Sequence, residues 1–145
     1  MTIPHDSIRH ARFEHPLTVV AADIDANRHA NNIAYLHWVQ DAAVAHWSAA
    51  VESELAAGML WVVVRHEIDY KKPAYLGDAL LVRTWVEAMT AATTERFCEI
   101  IRTADGLLLA KARTIWCSID PVTGRPKRIG SQVRAAFVEA QPSPP

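Results

Sequence analysis

Asn31 to Gly58 reads NNIAYLHWVQDAAVAHWSAAVESELAAG, and the architecture of the chain turns on these residues. From Ile33 to Ala57 there is no glycine or proline and much alanine, so the stretch is expected to form a helix, the only long one in the chain. Asn31 or Asn32 supplies an N-cap, and Gly58 is placed where a helix commonly ends in the left-handed conformation. His37, Gln40, Asp41, Ser48 and Glu52 fall along one stripe at helical spacing. Tyr35, Leu36, Val39, Ala43, Trp47, Val51 and Leu55 cover most of the rest, so the helix is expected to be largely buried, wrapped by something else.

The wrapping is legible on either side, where the pattern changes to a period of two. Phe13 to Ala22 is β-compatible, with Pro16 marking an edge or a bulge, and Asp23 to Asn32 is polar and turn-like. After the helix, Val62, Val64, His66, Ile68 and Tyr70 alternate with Arg65, Glu67 and Asp69, and a connection over Pro73 to Asp78 leads to a strand over Leu80 to Ala88. Further strands are expected over Thr93 to Thr103 and Leu107 to Ile119, joined at Asp105-Gly106, with a last turn over Asp120 to Pro126. Four successive strands imply an antiparallel meander. Ser131 to Ala140 reads as a short helix and Gln141 to Pro145 as a proline-rich tail. The fold class is α+β, a single domain over 1–145 with its core at about 13–137, in which a curved antiparallel sheet packs one face on the helix. Val62 to Tyr70 is apolar for an edge strand, so pairing with a second copy, as a homodimer or a dimer of dimers, is expected.

Composition and spacing exclude several classes. Lys plus Arg number 15 against 16 Asp plus Glu, which gives no broad attraction to nucleic acid or to an anionic membrane. Gly58, Gly77, Gly106, Gly124 and Gly130 are too far apart for a P-loop, a dinucleotide fingerprint or a GxSxG elbow, and HExxH is missing. Cys98 and Cys117 lie in apolar stretches outside any CxxC, so two buried thiols are expected, without a disulfide or zinc. His5, His10, His15, His46 and His66 show no ligand spacing and read as structural or exposed. No 18-residue apolar run occurs, and Met1 to Arg12 has no apolar leader core, so a cytoplasmic location is expected.

Asp23, Asp25, His29, Asn31, Asn32 and Tyr35, within DIDANRHANNIAYL, match the pattern DxDxxxHxNNxxYL. Asp69-Tyr70, Pro73-Ala74, Gly77-Asp78, Asp105-Gly106 and Thr123-Gly124-Arg125-Pro126 extend the match over roughly Leu17 to Phe137. In these residues the chain resembles the hot-dog-fold acyl-CoA thioesterases of the 4-hydroxybenzoyl-CoA thioesterase type. Asn27-Arg28 stands where a glycine often precedes the family histidine. The resemblance implies a sheet wrapped around the helix, dimers joined through the strand after it, active sites at that interface and a catalytic aspartate at Asp25.

Thioester hydrolysis needs an attacking oxygen and a stabilised oxyanion, and its thiolate leaving group departs readily. No metal or cofactor is required; coenzyme A enters as part of the substrate. Asp25, a few residues before the helix, can serve as general base or nucleophile, and amides of Asn31, Asn32 and Ile33 can polarise the carbonyl at the positive end of the helix dipole. An acidic residue before a helix is also often only a dipole partner, and Asp23 reads as a turn former or a helper that orients the loop. His29 either positions the substrate or Asp25, or is structural; Asn32 either caps the helix or orients the amides. Asp41 is the rival carboxylate, since another hot-dog branch uses a helix carboxylate as its base, but with His37 it also forms a simple i, i+4 pair. Tyr35, Asp41 and Trp61 are the candidate substrate contacts, Trp61 as lining of an acyl tunnel. Arg65, Lys71, Lys72, Arg113, Lys127 and Arg128 are candidates for the phosphates of coenzyme A. An acyl-CoA thioesterase is the leading expectation; a non-catalytic acyl-thioester-binding hot-dog protein is the alternative, and a dehydratase fits the pattern less well.

Overall fold

A computed structural model describes residues 10–138. The strands are β1 (Phe13–Thr18), β2 (Leu60–Tyr70), β3 (Ala79–Met89), β4 (Thr93–Arg102) and β5 (Leu108–Ile119); the helices are α1 (Asn32–Ala50), α2 (Ser53–Ala57) and α3 (Ser131–Ala136). The expected helix over Ser131 to Ala140 is realised in part: α3 ends at Ala136, and Val138 instead forms an isolated bridge with His10; residues 139–140 and the Gln141 to Pro145 tail lie outside the described residues.

The five strands form one antiparallel sheet in the order β1-β3-β4-β5-β2. This corrects the four-strand meander: only β3, β4 and β5 follow one another, while β2 crosses to the far edge and pairs with β5. Sequence spacing fixes where strands lie but not which neighbour takes their hydrogen bonds. Both edges carry the marks expected of them. β1 is short and holds Pro16, which a central strand would not tolerate, opposite Leu81. β2 pairs on one side alone and exposes Leu60, Val62 and Val64.

The alternation expected along β2 is broken by a bulge. Val63 pairs with Trp116 but Arg65 with Ile115, so Val64 is the extra residue. One inserted residue exchanges the two faces, since side chains alternate with a period of two. Trp61 and Val63 therefore point inward before the bulge and His66 and Ile68 after it, whereas Val62 and Val64, expected on the face of His66 and Ile68, are 44% and 59% exposed.

The long helix ends earlier than its composition implies. Val51 leaves the helical region (φ −122°, ψ 132°) and buries its side chain with Met59, Val86, Ile129, Val133 and Phe137. Packing overrides a favourable propensity there, and a separate short helix α2 follows. Gly58 has φ −83°, so it is not the left-handed C′ residue expected. Ala34, Tyr35, Trp38, Val39 and Ala42 pack on Leu80, Val82, Ile100 and Leu109 of the sheet, which makes the inward face of α1 the centre of the core. Its outward stripe, with His37, Asp41 and Ser48, is solvent-facing as expected and also carries exposed Ile33 and Val44. Among the described residues no helix is long and apolar enough to cross a membrane. Cys98 is buried and its thiol is pushed up to about 12 by that burial; Cys117, expected buried, is only partly so, and both are free.

Candidate active site

The Asp23–Asn32 turn is built almost wholly from local hydrogen bonds. Asp23 accepts from Val20 N (3.0 Å) with Oδ2 and from Asn31 N (2.8 Å) with its carbonyl, and Ile24 and Ala30 form an isolated antiparallel bridge. Asp23 thus acts as a turn former. Arg28 takes φ +65°, the one left-handed non-glycine residue described, and it occupies the segment where the family often has glycine. That conformation costs an L residue roughly 1 kcal/mol or more, and the surrounding bonds hold it. The whole loop is tied to the β2–β3 connection by Ala30 N donating to Ala74 O (2.8 Å).

Asp25 is half-buried at the start of this turn. Its Oδ1 accepts from Asn27 N (2.8 Å), while Oδ2 has no hydrogen-bond or ion-pair partner among the described residues. One carboxylate oxygen anchors the loop and the other is left for chemistry. His29 is half-buried and donates Nδ1–H to its neighbour Ala30 O (3.1 Å), which leaves Nε2 available.

Asn31, not Asn32, caps α1: its Oδ1 accepts from Ala34 N (2.7 Å). Asn31→Ala is expected to destabilise the fold by about 1 kcal/mol, read as a lower urea midpoint. The Asn31 amide, expected at the thioester carbonyl, instead donates to Asp23 O, because the loop closes through it. The amides of Asn32 and Ile33 remain without partners among the described residues, as the first N–H groups of a helix are, and both residues are exposed. The donor set is two amides rather than three.

The remaining candidates are dispersed. Tyr35 is buried, its hydroxyl accepting from Ala74 N (3.0 Å) and donating to Lys72 O (3.4 Å), with its ionisation pushed up by burial. It ties α1 to the β2–β3 connection and presents no free polar atom to a substrate. Asp41 lies in the third turn of α1, exposed and about 13 Å along the axis from Asn32. Trp61 lines an open, largely apolar cleft beside the C-terminal half of α1, away from the helix start. Tyr70 enters the site unforeseen as an individual contact: its hydroxyl donates to Asn32 O (3.0 Å) and its ring packs edge-on against Tyr35, joining the end of β2 to the helix start. Among the basic candidates, Arg65 pairs with Glu67, Arg113 with Glu95 and Glu67, and Lys127 donates to Gly58 O. Lys71, Lys72 and Arg128 are exposed and form no ion pair among the described residues.

A carboxylate with one free oxygen, placed in the loop that delivers two free helix amides, defines a site for attack on an electrophilic carbonyl. The comparisons agree with that class. Residues 19–137 match the family model described as the Thioesterase-like superfamily. The chain belongs to this superfamily. The acyl-CoA thioester hydrolase YbgC of Escherichia coli is 26% identical over 128 residues, covering 86% of this chain and 95% of that protein. A 1,4-dihydroxy-2-naphthoyl-CoA thioesterase from Synechocystis superposes with a TM-score of 0.77 at 22% identity, over 87% of this chain and 95% of the other. A Staphylococcus aureus protein solved in complex with CoA does so with a TM-score of 0.78 at 17% identity, over 90% and 84%. The fold is the hot-dog fold that the motif implied.

Proposed function

We propose that the protein hydrolyses acyl-CoA thioesters, with Asp25 as the reacting carboxylate. The free Oδ2 of Asp25, in the same turn that presents the Asn32 and Ile33 amides, carries this reading. Asp25 either draws a proton from the attacking water or attacks the carbonyl itself to give a mixed anhydride that water then cleaves to the acid and the free carboxylate; in both routes the two amides hold the developing oxyanion and the thiolate leaves. Lys71 and Lys72 follow Tyr70, whose hydroxyl bonds Asn32 O, and both are exposed without an ion pair among the described residues, so they are assigned to the phosphates of coenzyme A. The free thiols of Cys98 and Cys117 fit a reducing, cytoplasmic setting. Free-thiol release from a panel of short, long and aromatic acyl-CoAs tests the proposal. Release from at least one member supports it. Binding across the panel without release assigns the protein to acyl-thioester binding instead.

The same reading includes a homodimer through β2, or a dimer of dimers built on it. β2 offers one unpaired row of backbone groups, flanked by Leu60, Val62 and Val64, and an apolar edge of that length is a template for a second copy. Val62→Lys is expected to shift the protein toward monomer in light scattering at micromolar concentration. A wild type that is already monomeric there would overturn the dimer.

A further inference from the structure

Arg96 on β4 is 5% exposed and has no carboxylate partner among the described residues, whereas Arg12, Arg65, Arg83, Arg102 and Arg113 each have one. Its Nη1 donates to His46 Nδ1 (2.9 Å) and Thr84 Oγ1 (3.1 Å), both neutral acceptors. The three remaining N–H groups of its guanidinium have no partner among the described residues. A buried cation is ordinarily paired, because its desolvation is otherwise uncompensated. Arg96 lines the cleft beside α1 together with Val44, Trp47, Trp61, Trp116 and Phe137. Trp61 and Trp116 each bury an indole N–H that also lacks a partner. The cleft thus holds a cation with free donors on walls that, Thr94 apart, are apolar and aromatic, with two unmatched indole donors buried behind them.

We propose that this cleft is a second ligand site, which takes the carboxylate of an apolar acid onto Arg96. A planar carboxylate matches the guanidinium fork, and the indole rings accommodate an apolar body. A strongly hydrated anion such as inorganic phosphate would lose its water against the same walls. His46 stands fourteen residues after Asn32, about 20 Å along the axis, so the site is separate from the Asp25 loop of the same chain. Two sources supply the group: a free acid of the kind thioester hydrolysis releases, or the far end of a dicarboxylic acyl thioester.

The test is calorimetric titration of the wild type and of Asp25→Asn with octanoate, octanol and inorganic phosphate, which needs no turnover and so is independent of the proposed hydrolysis. Octanoate is expected to bind both proteins, about 10- to 100-fold more tightly than octanol, with that preference lost in Arg96→Gln. Nitrogen–proton NMR spectra locate the ligand even where Arg96→Gln fails to fold: the indole signals of Trp61 and Trp116, assigned through Trp61→Phe and Trp116→Phe, should move with octanoate. Octanol binding as tightly as octanoate, phosphate competing equally, or shifts confined to the amides of Asn32 and Ile33 would each overturn the proposal. Where it holds, kcat/KM separates the sources. Selective loss in Arg96→Gln for a dicarboxylic thioester, against a monocarboxylic one of equal length, identifies the substrate's far end; unchanged values for both identify the free acid.

Discussion

Asp25→Asn is expected to lower thioester turnover by about 10² to 10⁴, the range for loss of a general base. The substitution is chosen to leave the loop intact. Asn27 N is held by Oδ1 of Asp25, and an asparagine oxygen accepts the same bond, so the turn and the bridge between Ile24 and Ala30 are retained. What is removed is the negative charge and basicity of the free oxygen. Loss of activity at unchanged melting temperature therefore reports chemistry and not folding. Asp41→Asn is the matched control, because that carboxylate stands exposed on the outer stripe of α1, about 13 Å along the axis from the helix start. Near-full turnover in Asp25→Asn combined with loss in Asp41→Asn would move the reaction to the helix carboxylate. A single turnover in isotopically labelled water, with mass analysis of the protein during turnover, then separates base from nucleophile: an acylated protein, or label incorporated into Asp25, identifies an acyl-enzyme intermediate, and label in the released acid with neither of these identifies activated water.

Acidification is expected to destabilise the fold through His46. Its imidazole is stacked on Phe13 (ring centroids 5.1 Å apart) and edge-on to Phe137 (5.0 Å), and its Nδ1 accepts from the permanently charged Arg96. Burial, and next the charge of Arg96, push its pKa down to about 4 from an ordinary 6.5. Between those values the unfolded chain binds the proton and the folded one does not, so stability rises with pH across that window. The contribution is fully present above about 6.5 and is lost as the pH falls through about 4; its size is about 3 kcal/mol. In His46→Asn the side-chain oxygen can still accept from Arg96 but does not titrate. Urea unfolding between pH 4 and pH 7 should show a steeper loss of stability in the wild type than in this variant. Equal slopes would remove His46 from the acid sensitivity.

Arg96 was not singled out from the sequence, although a signal was there. The alternation of Thr94, Arg96, Cys98 and Ile100 puts a charged residue on the face of β4 that packs against the core, and all four are buried. Its partner left no such signal, because His46 comes from a different element fifty residues away. The same contrast runs through the Asp23–Asn32 loop. The turn, the cap and the carboxylate before the helix are local, and a run of polar residues ahead of an alanine-rich segment is enough to locate them. That Tyr70 closes on Asn32, that Tyr35 is held by the Ala74 amide, and that the Asn31 amide is engaged by Asp23 all depend on tertiary neighbours.

The sequence alone determined the elements whose energetics are short-range. These are the strands with a period of two, the long helix and its start, the turns at Asp105-Gly106 and Asp120 to Pro126, the edge character of β1 and β2, and the grouping of Asp25, His29 and the helix amides on one loop. The tertiary structure decided whatever depends on which surfaces meet. β2 lies beside β5 and not β3, and a bulge at Val64 exchanges its two faces. The helix breaks at Val51 because that side chain gains more by packing with Met59 and Phe137 than by continuing the helix. Strand neighbours and buried pairs are selected by long-range contacts, whose free energy is not encoded in any window of adjacent residues.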